Sequence, residues 1–161
     1  MKDNHKRLTI IPVHKLQHLA FNLLDFLFFQ DSENGVAMPF GNSRLLASLI
    51  VVPYILIADV YFFRAARFFL MLKEQVVGVL AVREENETLF ISSLAVAPEY
   101  RRQGIATHIL NYVSKLAARL DKKWVDLSVL KSNVPAQRLY LKYGFVMHKE
   151  KKLSIILRKN I

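Results

Sequence analysis

The order of elements written into this chain predicts an α/β fold in which one mixed sheet, mostly antiparallel, carries helices on both faces. Three observations predict it. Strand-like runs follow one another between residues 68 and 96, joined by breaks short enough to be antiparallel turns. Beyond Pro98 the pattern changes to helix, strand, helix, with apolar residues at helical spacing over residues 105 to 120. The composition, 53% hydrophobic and 22% charged with five glycines and five prolines, is that of a chain that packs.

Taken in order, Leu8 to Val13 is a short β-branched strand, and Leu16, Leu19, Ala20, Leu23, Leu24 and Leu27 then recur at helical spacing. Asp31 to Gly35 and Pro39 to Asn42 are turn-rich breaks. Phe68 to Lys73 and Val76 to Arg83 read as two strands joined by Glu74-Gln75, and Glu84 to Glu87 turns the chain into a third, Leu89 to Val96. Pro98 ends that strand. From Gly104 a helix follows, with Ile105, Ile109, Leu110, Val113, Leu116, Ala117 and Leu120 on one broad face. Trp124 to Leu130 is a strand, and Pro135 opens a second helix that stops at Gly144. Phe145 to His148 and Leu153 to Leu157 supply the closing strands.

The least ordinary stretch is Leu45 to Phe63, nineteen residues with one charge, Asp59, and one proline, Pro53. It is close to the length that crosses a bilayer. Three readings stay open: a buried or homodimer-forming helix pair kinked at Pro53, an apolar substrate wall or peripheral membrane contact, and a true span. A span would leave residues 1 to 43 across the membrane from the sheet that the first strand joins.

A chain of 161 residues fits one domain, expected over 1–161, and the mixed pattern of the first thirty residues lacks the apolar core of a secretory signal, so Met1 is expected to start the mature chain. There is no cysteine. That excludes disulfide scaffolds, thiolate zinc sites and any acyl group parked on a protein thiol, and a reducing cytoplasm is the expected home. The net charge of +10 favours anionic partners without choosing among them. Lys149, Lys151, Lys152, Arg158 and Lys159, with Lys2, Lys6 and Arg7, read equally well as solvated ends.

One segment carries chemistry. Leu94-Ala95-Val96-Ala97-Pro98-Glu99-Tyr100-Arg101-Arg102-Gln103-Gly104-Ile105-Ala106-Thr107 ends a strand and opens a helix. Helix N-termini present unpaired N–H groups and partial positive charge, Arg101 and Arg102 add to it, and Gly104 and Ala106 keep the approach small. The combination suits a diphosphate. A second segment, Leu130-Lys131-Ser132-Asn133-Val134-Pro135-Ala136-Gln137-Arg138-Leu139-Tyr140-Leu141-Lys142-Tyr143-Gly144-Phe145, follows it.

With both segments in this order, the chain resembles the GNAT superfamily of acyl-CoA N-acyltransferases. The likeness covers residues 89 to 148 closely and residues 1 to 75 only in topology. It implies acetyl-CoA as co-substrate, a strand Leu89 to Val96 that bulges and splays from its parallel neighbour near Trp124 to Val129, a cofactor core over 67–161 and an acceptor-specificity region over 1–66. It implies that Leu94, Ala95 and Val96 pair with the pantetheine arm, and that the Val96 amide faces the thioester oxygen. By the same resemblance Arg101, Arg102, Gln103, Gly104, Ile105, Ala106 and Thr107 hold the pyrophosphate and Asn133 bonds the pantetheine region. Tyr140 is implied as the general acid for the departing thiolate, though its position also suits a core aromatic.

The pattern from Leu127 through Tyr140 is similar to the subgroup acting on protein N-termini, except that Ser128 stands where that subgroup has a glutamate base. Ser92 and Ser93 offer no carboxylate either, which leaves a water chain or an acid such as Glu33 or Asp59. His14 and His18 share a helix face, but no third ligand accompanies them and the chemistry asks for no metal. The expected function is acetyl transfer to a primary amine, free or on a protein. The alternatives are a CoA-binding module without turnover and a nucleic-acid binder, the last without the interleaved basic and aromatic array it needs.

Overall fold

The computed structural model describes residues 8–14, 17–18, 20–23 and 64–161. Seven strands form one sheet: β1 (Leu8–Pro12), β2 (Ala65–Leu72), β3 (Gln75–Glu85), β4 (Thr88–Val96), β5 (Trp124–Leu130), β6 (Val146–Glu150) and β7 (Ser154–Asn160). Their order across the sheet is β1-β2-β3-β4-β5-β7-β6, and β4 with β5 is the parallel pair. Two helices, α1 (Ile105–Arg119) and α2 (Val134–Lys142), follow β4 and β5. Helical backbone is also present at residue 18 and at residues 20–23.

The sheet has an apolar layer on each face. On one, Ile109, Leu110, Val113 and Ala117 of α1 pack on Leu80, Val82, Leu89, Ile91, Val125 and Leu127, with Tyr140 and Phe145 completing the cluster. On the other, Phe21 packs on Val79, Ala81 and Ala95. Helices on both faces therefore follow from the strand alternation, which sends Leu89 and Ile91 one way and Ala95 the other.

Several boundaries move. The first hairpin turns at Lys73-Glu74 and not at Glu74-Gln75, because Gln75 is already paired with Leu72 and Lys73 takes the left-handed conformation, φ 59°. β4 starts at Thr88, so the second turn shrinks to Asn86-Glu87. β7 runs on to Asn160, well past Leu157, because it pairs with the whole of β5 from Trp124↔Asn160 to Leu130↔Ser154. Arg158 is thus no solvated end charge. It donates to both oxygens of the buried Asp126, at 2.8 and 2.7 Å, and lies over the Trp124 ring.

The apolar stretch 45–63, with Asp59, and Glu33 lie outside the described residues. Among the described residues no helix is long and apolar enough to cross a membrane.

Candidate active site

The site begins with a fork in the sheet. β4 and β5 are paired from Thr88↔Trp124 to Ile91↔Leu127 and no further. Beyond that point β4 stays with β3 as far as Val96, while β5 stays with β7 as far as Leu130. A bulge lies at the parting. Ala81 faces Ser93 and Val82 faces Ile91, so Ser92 is an extra residue in β4, and a bulge bends and twists the strand that carries it.

The bulge also fixes which backbone groups face the gap. Ala97 N–H donates to the Val77 carbonyl at 2.9 Å, and in an antiparallel ladder bonded and non-bonded pairs alternate. The N–H and C=O of Val96 and Leu94 therefore point to the edge that β5 has left. Gly78, opposite Val96, allows the close approach of β3: a Cβ there would stand 2.5 Å from the Ala95 carbonyl oxygen and 2.7 Å from Leu70 Cδ1.

After β4 a 3-10 turn, Pro98–Tyr100, brings the chain round, with the Tyr100 hydroxyl donating to Gln75 Oε1 at 2.7 Å. Arg102 (φ 58°) and Gly104 (φ 79°) are both left-handed, and α1 opens directly behind them. No side chain caps α1 and its first turn holds no acidic residue, which leaves the first N–H groups facing outward with their partial positive charge. A Cβ at Gly104 would meet nothing within 4 Å, so the approach is open. Arg102, Gln103, Gly104 and Thr107 are exposed, and Ile105 and Ala106 half-buried. An open turn lined by outward N–H groups and an exposed arginine fits the two negative charges of a diphosphate.

The two arginines differ, although the sequence sets them side by side. Arg101 is half-buried and its Nε donates to the Val96 carbonyl at 2.9 Å, whereas Arg102 is exposed.

On the other arm, Asn133 caps α2, its Oδ1 accepting from Ala136 N–H at 3.2 Å. Its amide nitrogen is the group left to offer a ligand. Gln137 Nε2 donates to the carbonyls of Leu130 and Lys131, at 2.9 and 2.8 Å, and so fixes α2 to the end of β5. Tyr140 is buried, edge-on to Phe145 with ring centroids 5.8 Å apart, and burial pushes its hydroxyl up to about 12. It is a core residue and a hydroxyl that keeps its proton at neutral pH. Gly144 (φ 94°) ends the helix, with Phe145 N–H returning to the Tyr140 carbonyl at 3.0 Å.

Ser128 is exposed on β5, and the buried Ser92 hydroxyl has no hydrogen-bond partner among the described residues. His14 N–H donates to Gln17 Oε1, and among the described residues no three potential metal ligands cluster. Sequence reasoning missed the tether from Arg101 to Val96, while the bulge that the family likeness implied in the strand Leu89 to Val96 falls at Ser92. The second had a signal, since the inward apolar phase Leu89, Ile91 resumes at Leu94, Val96 after a slip of one residue.

The family model described as Acetyltransferase (GNAT) family matches residues 47–145. The chain is 37% identical over 60 residues to the N-terminal acetyltransferase B complex catalytic subunit NAA20 of Arabidopsis thaliana, covering 37% of this chain and 34% of that protein. It is 33% identical over 67 residues to the putative ribosomal protein bS18-alanine N-acetyltransferase of Bacillus subtilis, 42% of each chain. The aligned stretch thus spans less than half the length of these relatives. Among solved structures, the PaiA N-acetyltransferase of Thermoplasma acidophilum in complex with coenzyme A has the same fold, with TM-score 0.72 at 11% identity over 96% of this chain and 99% of that one. The ribosomal-protein-S18-alanine N-acetyltransferase of Escherichia coli gives TM-score 0.67 at 17% identity, over 96% and 94%.

Proposed function

The chain belongs to the GNAT acetyltransferase family, whose model matches more than half of it, and from that premise we propose that it moves an acetyl group from acetyl-CoA to a primary amine. Attack is direct, with no acyl group resting on the protein. The observation that carries this reading is the fork, where the Leu94 backbone and the Val96 N–H face a gap that ends at the open turn before α1. The names of the relatives, which act on N-terminal and ribosomal-protein amines, support a protein N-terminus as the acceptor.

Bound acetyl-CoA would supply an acyl group already activated as a thioester. The chain's own residues do the rest. Leu94 and Val96 would hold the pantetheine arm along the β4 edge, with Ala95 between them packed on Val79 and Ala81. Val96 N–H would meet the negative charge that develops on the acyl oxygen. Arg102, Gln103, Gly104, Ile105, Ala106 and Thr107 would hold the diphosphate, and Asn133 Nδ2 the pantetheine. Arg101 would act by holding Val96 in place. Tyr140 would donate from its hydroxyl to the leaving sulfur. With its pKa near 12 against about 8.5 for an ordinary thiol, complete transfer is uphill, so the hydroxyl stabilises mainly as a hydrogen-bond donor. We assign residues 67–161 to the cofactor core and 1–66, the apolar stretch 45–63 included, to the acceptor side of one domain.

The test is release of CoA, read with a thiol reagent, on mixing the protein with acetyl-CoA and peptides bearing free N-termini. The absence of cysteine keeps the protein silent in that assay. Turnover is expected, and Tyr140→Phe should lower kcat on the order of a hundredfold while leaving CoA affinity intact. CoA binding without turnover on any amine would make the chain a binding module instead.

A further inference from the structure

A cleft lies between the sheet and the last turn of α1, at the end away from the fork. Its floor is Val82 of β3 and Leu89 of β4, which are 3% and 0% exposed. One wall is Ala66 and Phe68 of β2, and the other is Leu116 of α1 with Leu120 just past its end. The floor is packed and the walls are not: Ala66 and Leu120 are exposed, Phe68 and Leu116 half-buried. The cleft holds about 490 Å³, within the roughly 300–1,000 Å³ usual for small-molecule sites. It is remote from the proposed acetyl-transfer site, because α1 runs 15 residues from the diphosphate turn, about 22 Å, before it reaches this end.

Strand alternation accounts for the opening. Ala66 and Phe68 share one face of β2, and Ala66 is paired with Val82, so a methyl stands where a larger side chain would close the gap. Phe68 stands edge-on to Tyr112 of α1, ring centroids 6.1 Å apart, which fixes its wall. The rest of the lining is charged. Glu84, paired with Leu89, is bonded by Lys122 Nζ at 3.2 Å, and the same ammonium donates to the Asn86 carbonyl at 3.1 Å. Arg64, exposed and left-handed at φ 66°, stands just before β2. The lining and its bonded partner thus supply two positive charges against one negative. Apolar walls beside one surplus cation match an apolar body with a single negative charge, and a guanidinium takes a carboxylate through two parallel hydrogen bonds. A doubly charged phosphate would set its second negative charge beside Glu84.

We propose that this cleft is a second binding site, for a small aliphatic carboxylate whose chain lies between Ala66 and Leu120 and whose head meets Arg64. The chain covers the apolar walls that the fold leaves in water, and the carboxylate answers the surplus charge. The site stands on its own lining and does not rest on the acetyl-transfer reading.

The experiment is calorimetry on the full chain with sodium octanoate, sodium decanoate and 1-octanol, with and without saturating CoA. One decanoate per chain is expected, bound about fifteenfold more tightly than octanoate because each further methylene covers apolar wall, and unaffected by CoA. Octanol should bind about tenfold more weakly than octanoate, and Arg64→Gln should bring the two together. Ala66→Phe fills the cleft from an exposed position, so decanoate binding should be lost while the urea midpoint stays where it is. Absence of saturable decanoate binding would overturn the proposal, as would full affinity in Ala66→Phe. Displacement of decanoate by CoA would overturn it too, since the acid would then lie in the fork. Equal affinity of the wild type for octanol and octanoate would overturn the part given to Arg64.

Discussion

Arg101 lays its Nε on the carbonyl oxygen of Val96, 2.9 Å away, and so ties the loop that opens α1 back to the last residue of β4. The same carbonyl lies on the strand edge that β5 has left. A single side chain thereby links the two halves of the proposed cofactor site, the strand edge and the diphosphate turn.

Replacing either neighbouring arginine should separate the two roles. Arg101→Ala removes a charge-assisted, half-buried hydrogen bond, and a loss of about 1.5–3 kcal/mol in urea unfolding is expected, together with weaker CoA binding. Arg102→Glu touches only an exposed side chain, so stability should stay within about 0.5 kcal/mol while calorimetry with CoA registers a loss of a hundredfold or more. Equal effects of the two variants on stability would contradict this division.

The two glycines of the site predict opposite patterns. At Gly104 a Cβ meets open space but the backbone is left-handed, so Gly104→Ala should cost only about 1 kcal/mol in stability while raising the Kd for CoA about tenfold. At Gly78 the conformation is ordinary and the space is not: the added methyl meets the Ala95 carbonyl and Leu70 at once. Gly78→Ala should push β3 from β4 and cost about 2–3 kcal/mol, with CoA binding lost as the fork shifts. Urea unfolding and calorimetry on both variants check the pair.

These contrasts also mark what the sequence carried. Helix ends were legible because Gly144 and Pro135 act locally, and the succession of strands along the chain was legible because apolar alternation is local too. The extent of β7 was not. Arg158, Lys159 and Asn160 have no apolar period, and they are strand only because β5 pairs with them. Arg101 and Arg102 are indistinguishable as letters, and one peptide unit with φ 58° at Arg102 sends them to different surroundings. The fork was implied by likeness to a family, but its physical cause, the extra residue Ser92, appears only once the register of β3 against β4 is known.

Aspartate 126 and its arginine hold the second arm of the fork. Asp126 and Arg158 face one another across β5 and β7, the carboxylate buried and the guanidinium about a quarter exposed. Arg158→Met removes the partner of a buried charge. Breaking a buried pair costs roughly 3–5 kcal/mol, and the partial exposure of Arg158 places the expectation near the lower end. The double variant Asp126→Asn with Arg158→Met should recover part of that loss, because no uncompensated charge remains. Thermal unfolding of the wild type and the two variants checks this, and equal Tm values for single and double variants would contradict it.

Tyr140 predicts how stability responds to alkali. Its hydroxyl sits at about 12 in the folded chain, raised by burial, against 10.0 when unfolded. Between these values the unfolded chain has lost a proton that the folded chain keeps, so the unfolded state binds fewer protons and stability falls as pH rises. The stabilisation is fully present below pH 10 and is lost on passing to about 12, a decline on the order of 2–3 kcal/mol from this group. Tyr140→Phe removes the titrating group while keeping the ring against Phe145, and its stability should be flatter over that window by the same amount. Urea unfolding at pH 9, 10 and 11 on the two proteins reads the difference. Parallel declines would show that the hydroxyl is not shielded from water by the core.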